Sequence, residues 1–306
     1  MANSDNRQAF HSGFVTLIGR PNAGKSTLVN QLVGEKVAII SDKPQTTRNT
    51  IRGIYTDERM QLVLLDTPGV HKPKFKLGER MMESVRSALD GCDVILYLVD
   101  TGEEFGAGEE YIISMLEKSA EKIPVYLILN KIDLLKKDQL LPMIATYAEK
   151  FPFAEVVPLS AFTGENKAAL LDALYEHLPE GPCYYPEDAI SDLPENMLIG
   201  ELVREQALRL TSDEVPHSIA VTVSAMEERD NGLLYVEANI YVERESQKGI
   251  IIGKKGAMLK RIGSGARAEI EKIFACRCFL ELHVRAKKDW RNNTGLLDQW
   301  LPADGD

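Results

Sequence analysis

Cysteine is scarce in this chain and cannot staple it. Cys92, Cys183, Cys276 and Cys278 are four residues among 306, too few and too scattered for a disulfide framework. Cys276 and Cys278 stand one residue apart, which suits neither a Cys-x-x-Cys redox pair nor a zinc half-site, so a reducing compartment is expected. Long apolar runs are also missing: none approaches about 18 residues, the length of a membrane-spanning helix. Met1-Ala2-Asn3-Ser4-Asp5 offers no basic segment followed by an apolar core, so a secretory leader is not expected and a cytoplasmic location is. Nor is there an excess of positive charge: 36 Lys and Arg face 46 Asp and Glu, a net charge of −10. That excludes a uniformly basic nucleic-acid binder, yet the charge is unevenly spread. Between Lys248 and Arg291 stand twelve Lys and Arg against four Asp and Glu, a local balance of +8. Such a concentrated window is what an electrostatic footprint looks like, although a solvated basic face would have the same charge.

What is present is an ordinary globular composition, 44% hydrophobic and 27% charged, in a length that fits about two domains. One stretch organises the first of them. An apolar run, Phe14 to Ile18, meets Gly19-Arg20-Pro21-Asn22-Ala23-Gly24-Lys25-Ser26, and Thr27-Leu28-Val29-Asn30 starts an apolar-periodic segment. Strand, glycine-bounded loop and helix in that order form a P-loop in its required context. Glycines let backbone N–H groups turn inward, and the helix N-terminus adds the positive end of its dipole, so phosphate oxygens find a ready site. Gly19, Asn22, Ala23, Gly24, Lys25, Ser26 and Thr27 line it, with Lys25 placed to reach β and γ phosphates and Ser26 to hold Mg²⁺.

The next segment, Val37 to Arg48, includes Gln45-Thr46-Thr47-Arg48 and reads as an exposed loop before a strand at Ile51 to Thr56. Gln61 to Leu65 is a buried strand ending in Asp66-Thr67-Pro68-Gly69, where a Mg²⁺-side carboxylate and a γ-phosphate-sensing N–H would sit. Further strands are expected at Asp93 to Asp100, Pro124 to Leu129 and Glu155 to Leu159, with helices at Leu77 to Leu89 and Glu109 to Lys122 between them. This alternation means a mostly parallel sheet with helices on both faces and ligands at the strands' carboxyl ends. Asn130-Lys131-Ile132-Asp133 at one such end selects the base. A carboxylate at Asp133 accepts from both N1–H and N2–H₂ of guanine, a donor pair that adenine lacks. Asn130 would bond at the purine N7 side and order neighbouring loops, the Lys131 stem would lie over the ring, and Ser160-Ala161 would offer N–H to the guanine O6. The alternative is a plain strand end with Asp133 as a helix cap.

These elements, Gly19 to Ser26, Thr46-Thr47, Asp66 to Gly69, Asn130 to Asp133 and Ser160-Ala161, resemble the full motif set of translation-factor-type GTPases. The resemblance implies GTP and GDP as ligands and a Mg²⁺ site of Ser26, Thr47 and, through water, Asp66. It implies that Thr47, rather than Thr46, is the switch threonine and that Gly69 contacts the γ-phosphate. Catalysis would then involve Asn22, Lys25, Thr47 and Gly69. One position departs from Ras-like members, which carry glutamine after the Asp-x-x-Gly glycine: here it is Val70. Slow intrinsic hydrolysis with another water-positioning device is the expectation. Asn22 offers an oxygen where K⁺ could bridge the phosphates; shaping the loop is an equal alternative.

Pro179 to Pro194 holds four prolines in a stretch that ends the alternation, a stiff domain boundary. The expected division is a tail at 1–12, a GTPase domain at 13–178, a linker at 179–195 and a second domain at 196–306. There a helix from Asn196 to Leu210, a strand from Ser218 to Ser224, an Asn231-Gly232 hairpin turn and a strand from Leu233 to Val242 are expected. Ile250-Ile251-Ile252-Gly253-Lys254-Lys255-Gly256 follows, then a helix from Met258 to Phe274, a strand from Phe279 to Val284 and a short helix within Trp290 to Trp300. This order resembles the bacterial, type II KH fold, an α+β domain whose Gly-x-x-Gly loop clamps single-stranded nucleic acid. Lys254 and Lys255 would meet phosphates, and Ile250, Ile251 and Ile252 would floor a groove for bases. A GTPase joined to a KH domain is similar to the Era-like GTPase family. That resemblance implies binding to the 3′ region of small-subunit ribosomal RNA, a role in 30S subunit maturation, a monomer, and peripheral contact with the inner face of the cell membrane. A P-loop kinase and a KH adaptor with a purely structural nucleotide site are the competing readings; Asn130 to Asp133 argue against the first, and GTP turnover would remove the second.

Overall fold

Continuous apolar runs make the central strands of this chain. β4 (Val94–Asp100) and β5 (Val125–Asn130) show no alternation because nearly every residue is buried on both faces of one sheet. The computed structural model describes residues 9–119, 123–213 and 215–301. Its contacts divide the chain into two compact units. One holds residues up to Val37, Thr50–His71 and Val85–Asp192; the other holds Ala38–Asn49, Lys72–Ser84 and the chain from Leu193 onward.

In the first unit, β1 (His11–Gly19), α1 (Lys25–Val33), β2 (Ile51–Thr56) and β3 (Met60–Asp66) precede α2 (Lys76–Leu89), within which the unit boundary falls. After β4 come α3 (Ala107–Ser119), β5, α4 (Lys137–Ala148), β6 (Glu155–Leu159) and α5 (Lys167–His177). The six strands lie in the order β2-β3-β1-β4-β5-β6. All pairings are parallel except β2 with β3, which an antiparallel hairpin joins. Val15, Leu17, Leu28, Leu96, Ile128 and Leu170 belong to the main core beside this sheet. β1 begins at His11, inside the segment read as an N-terminal tail; residues 1–8 of that tail, and the end of the helix expected to reach Lys122, lie outside the described residues.

The second unit follows the order α6 (Glu195–Leu210), β7 (Ala220–Glu228), β8 (Leu233–Val242), α7 (Glu245–Ile252), α8 (Ala257–Ile273), β9 (Arg277–Ala286) and α9 (Thr294–Trp300). β7 and β8 are antiparallel and β8 and β9 parallel, so β9 is an edge. Val203, Ala207, Ile240, Ile251, Ile262 and Ala266 form part of its core. The segment read as an exposed loop is a loop without regular structure, but it is not exposed throughout. Ala38, Ile39, Thr47 and Arg48 are buried, Ile39 among Ile199, Leu202 and Leu208. Polar sequence around them concealed this. Among the described residues, no helix is long and apolar enough to cross a membrane.

Candidate functional site

Strand order places the carboxyl ends of β3, β1, β4, β5 and β6 side by side, and the candidate residues follow from those ends. Gly19 closes β1, and Gly24 caps α1 in the left-handed region, with φ 98°. A Cβ there would collide with the Asn130 side chain, so only glycine fits. No side chain caps α1 and its first turn contains no acidic residue, which favours an anion at that end. Lys25 is buried, and its ammonium donates to the carbonyls of Gly19 (3.2 Å) and Arg20 (3.1 Å). Burial pushes its pKa down to about 8, with Asp66 acting in the opposite direction.

Asp66 ends β3 fully buried, and the Ser26 hydroxyl donates to its Oδ2 at 2.6 Å. Two oxygen ligands of the kind Mg²⁺ takes therefore converge at the start of α1. Thr67 Oγ1 donates to the Leu17 carbonyl (2.6 Å) and Val70 N–H to the Gly19 carbonyl (3.0 Å), which ties the Asp66–Gly69 segment to the P-loop. Val70 is buried; its side chain is apolar filling and positions no water. Asn22 is exposed in the left-handed region, with φ 65°, a conformation asparagine tolerates.

Asn130 is almost fully buried. Its Nδ2 donates to the Ala23 carbonyl (2.8 Å), while its Oδ1 accepts from the Ala161 N–H (2.9 Å). One side chain thus joins the phosphate loop to the Ser160–Ala161 loop. The Ser160 N–H donates to the Glu165 carbonyl, so both N–H groups expected to face guanine O6 have protein acceptors here. Lys131 Nζ pairs with Asp100 at 2.5 Å, which holds its stem. Asp133 lies exposed in the 3-10 turn Ile132–Leu134, capped by Lys131 with no side-chain cap bond. The carboxylate is not used as a cap.

In the second unit, Gly253 ends α7 with φ 72°, and a Cβ on it would lie 2.7 Å from Met258 Cβ. Glycine is required for that close approach. Lys254 and Lys255 are exposed in the turn before α8. Ile250 is exposed and Ile252 half-buried, but Ile251 is fully buried in the core. Ile251 therefore cannot floor a groove: helical rather than extended geometry turns it inward.

Residues 14–131 match the 50S ribosome-binding GTPase family and residues 214–291 the KH domain family. A crystal structure of Era in complex with MgGDPNP and nucleotides 1506–1542 of 16S ribosomal RNA is similar at 40% identity over 96% of this chain and 99% of that one, with a TM-score of 0.93. Aquifex aeolicus Era, as a variant bound to GDP·AlF4⁻, is similar at 40% identity over 96% of this chain and 100% of its own, with a TM-score of 0.92. The chain belongs to the Era family.

For this Era-family chain, the structure adds residues that no motif marked. A groove of about 400 Å³ runs between α8 and β9, lined by Gly256, Lys260, Arg267, Phe279 and Leu282 among others. Lys260 and Arg267 were legible only as part of the basic window. The segment with Thr46 and Thr47 is held by α6: Arg204 donates to the Thr46 carbonyl, and Glu205 accepts the Ile40 N–H at 3.0 Å. Arg48 donates to the Ile219 carbonyl (2.6 Å) and lies 5.4 Å from the centre of the Trp290 ring. Thr47 thus belongs to the second unit, unlike the other nucleotide-site candidates.

Lys25 makes one pH dependence testable. Its pKa in the free protein is near 8 against 10.5 when solvated, so an unfolded chain binds more protons between those values and the burial penalty eases as pH rises. A phosphate beside the ammonium reverses the shift. GDP binding at pH 8 is expected to take up about half a proton per site and to weaken above pH 8. Calorimetry in two buffers of different ionisation enthalpy reads this directly; zero uptake would mean Lys25 is already fully charged.

Proposed function

We propose that this chain is a GTP-binding and GTP-hydrolysing switch that binds single-stranded RNA from the 3′ region of small-subunit ribosomal RNA and assists 30S subunit maturation. The observation that carries the nucleotide half is Asn130, which fastens the phosphate loop to the base loop beside an uncommitted Asp133 carboxylate. The RNA half rests on the Gly253–Gly256 loop and its basic groove. The relative of known structure that carries GTP analogue and 16S RNA matches both units, which favours the small subunit over the 50S particle named for the GTPase family. A kinase is disfavoured by the same match.

The Ser26 and Asp66 oxygens, 2.6 Å apart, fit a hard divalent cation. Mg²⁺, when bound, neutralises charge on the β and γ phosphates. Lys25 reaches the same oxygens, and Gly69 N–H senses the γ-phosphate. Arg204 and Glu205 hold the segment that carries Thr47, so a change in Thr47 on GTP binding would act on that segment. With Val70 apolar and buried, intrinsic hydrolysis would be slow, and K⁺, held by Asn22, would supply charge that an arginine finger supplies elsewhere. Equal turnover in K⁺ and Na⁺, unchanged by Asn22→Ala, would remove the K⁺ part.

The test of the whole reading is ultraviolet crosslinking of the full chain to an RNA of the 16S 3′ end in GDP and in a non-hydrolysable GTP analogue. Stronger crosslinking to the second unit with the GTP analogue is expected. Equal yields in both states would overturn the switch, and no crosslink in either would overturn RNA binding.

A further inference from the structure

Along β8 and β9, buried residues alternate with residues on the sheet's other face. Leu234, Val236 and Cys278 point into the core, so Tyr235 and Phe279 lie on the opposite side, directly paired in register. Their rings are nearly parallel, their planes 12° apart and their centroids 5.9 Å from each other. The Arg229 guanidinium lies 4.5 Å from the Tyr235 ring centre. Three flat groups therefore stand in a row from the β7–β8 hairpin to the sheet edge. Phe279, at the edge, is 52% exposed, and it also forms a wall of the groove that contains Gly256, Lys260 and Arg267. The row and the groove share that residue.

We infer that Arg229, Tyr235 and Phe279 form a base-stacking platform that carries single-stranded RNA out of the Gly-x-x-Gly groove and onto the outer face of the sheet. The inference rests on the RNA-binding reading above and extends its path. A KH loop clamps about four nucleotides, so a longer strand must continue somewhere, and the Phe279 wall is where the basic groove meets this face. Aromatic rings and guanidinium planes accept the faces of any base. Charge is mixed along this face: exposed Glu227 is the β7 partner of Tyr235 in register, and exposed Glu228 and Asp230 flank Arg229. Exposed Arg277 stands beside Phe279, opposite Leu233. Farther along, Tyr235 donates its hydroxyl to Glu281 (3.0 Å), and Glu237 and Glu281 flank His283. Arg229 and Arg277 are the cations beside the row, so the strand crosses where they stand, held by base stacking rather than by net positive charge.

The test uses the full-length protein and fluorescence anisotropy with two probes, an RNA of the 16S 3′ end of about forty nucleotides and a five-nucleotide RNA from the same region. Phe279→Ala and Tyr235→Ala are each expected to weaken the long probe about tenfold. Tyr235→Ala should leave the short probe unchanged, and neither should alter the salt dependence, because stacking releases no counterions. Phe279→Trp should restore affinity and lose emission when the long RNA binds. A loss with Phe279→Ala but none with Tyr235→Ala confines Phe279 to the groove wall and overturns the platform. Unchanged affinity in both variants, with binding still lost on changing Lys254 and Lys255, overturns it while leaving RNA binding intact. No binding by the unaltered chain overturns both.

Discussion

Asp133→Asn is expected to lose GDP affinity by two to four orders of magnitude and to gain xanthosine diphosphate in its place. The carboxylate stands exposed in the turn after β5 and caps nothing, so both its oxygens are available to N1–H and N2–H₂ of guanine. Each bond to a charged acceptor is worth about 1.5–3 kcal/mol, and two of them correspond to about a hundredfold to ten-thousandfold in Kd. Asparagine keeps one acceptor and turns a donor toward the guanine amino group, a clash of two donors. Xanthine carries a carbonyl where guanine carries that amino group, and the asparagine donor then has an acceptor. Equilibrium competition with GDP, XDP and ADP measures the exchange. Retained GDP affinity, or no gain for XDP, would remove Asp133 from base selection. Asp133 is solvent-exposed, so the fold should survive the change and a thermal melt checks it.

Replacing Lys254 by Ala and Lys255 by Asn is expected to reduce RNA affinity about twentyfold at 0.1 M salt and to flatten the plot of log K against log salt by about 1.4. Single strands release about 0.7 counterion per phosphate neutralised, and two exposed lysines in the turn account for two contacts. Asparagine is chosen at 255 because Lys255 has φ 53°, where asparagine is less strained than alanine. The slope separates this from the stacking platform, whose variants lose affinity without changing it. An unaltered slope would mean that these lysines meet no phosphate.

The two experiments address opposite ends of the chain, and they differ in how legible their targets were. Asp133 and the lysines are contiguous with motifs, and local chemistry named them. Phe279 was read only as the start of a strand, because its meaning depends on Tyr235, forty-four positions away, and on the parallel register that aligns them. Ile251 failed for a related reason. Three consecutive isoleucines read as one apolar floor, but a helix turns about 100° per residue, so the middle one enters the core and its neighbours do not.

By itself the sequence determined the elements whose residues are adjacent: the strand, phosphate loop and helix around Gly19 to Ser26, the hairpin at Asn231-Gly232, the Gly-x-x-Gly turn, and the pairing of a GTPase with a KH domain. Glycine conformation, apolar periodicity and turn chemistry act over a few residues, so they can be read along the chain. Only the tertiary structure decided that Asn130 joins Ala23 to Ala161, that Ile39 and Arg48 are buried within the second unit, and that Tyr235 and Phe279 make one surface. Strand order, register and burial set these contacts between residues far apart in sequence, and no local pattern encodes them.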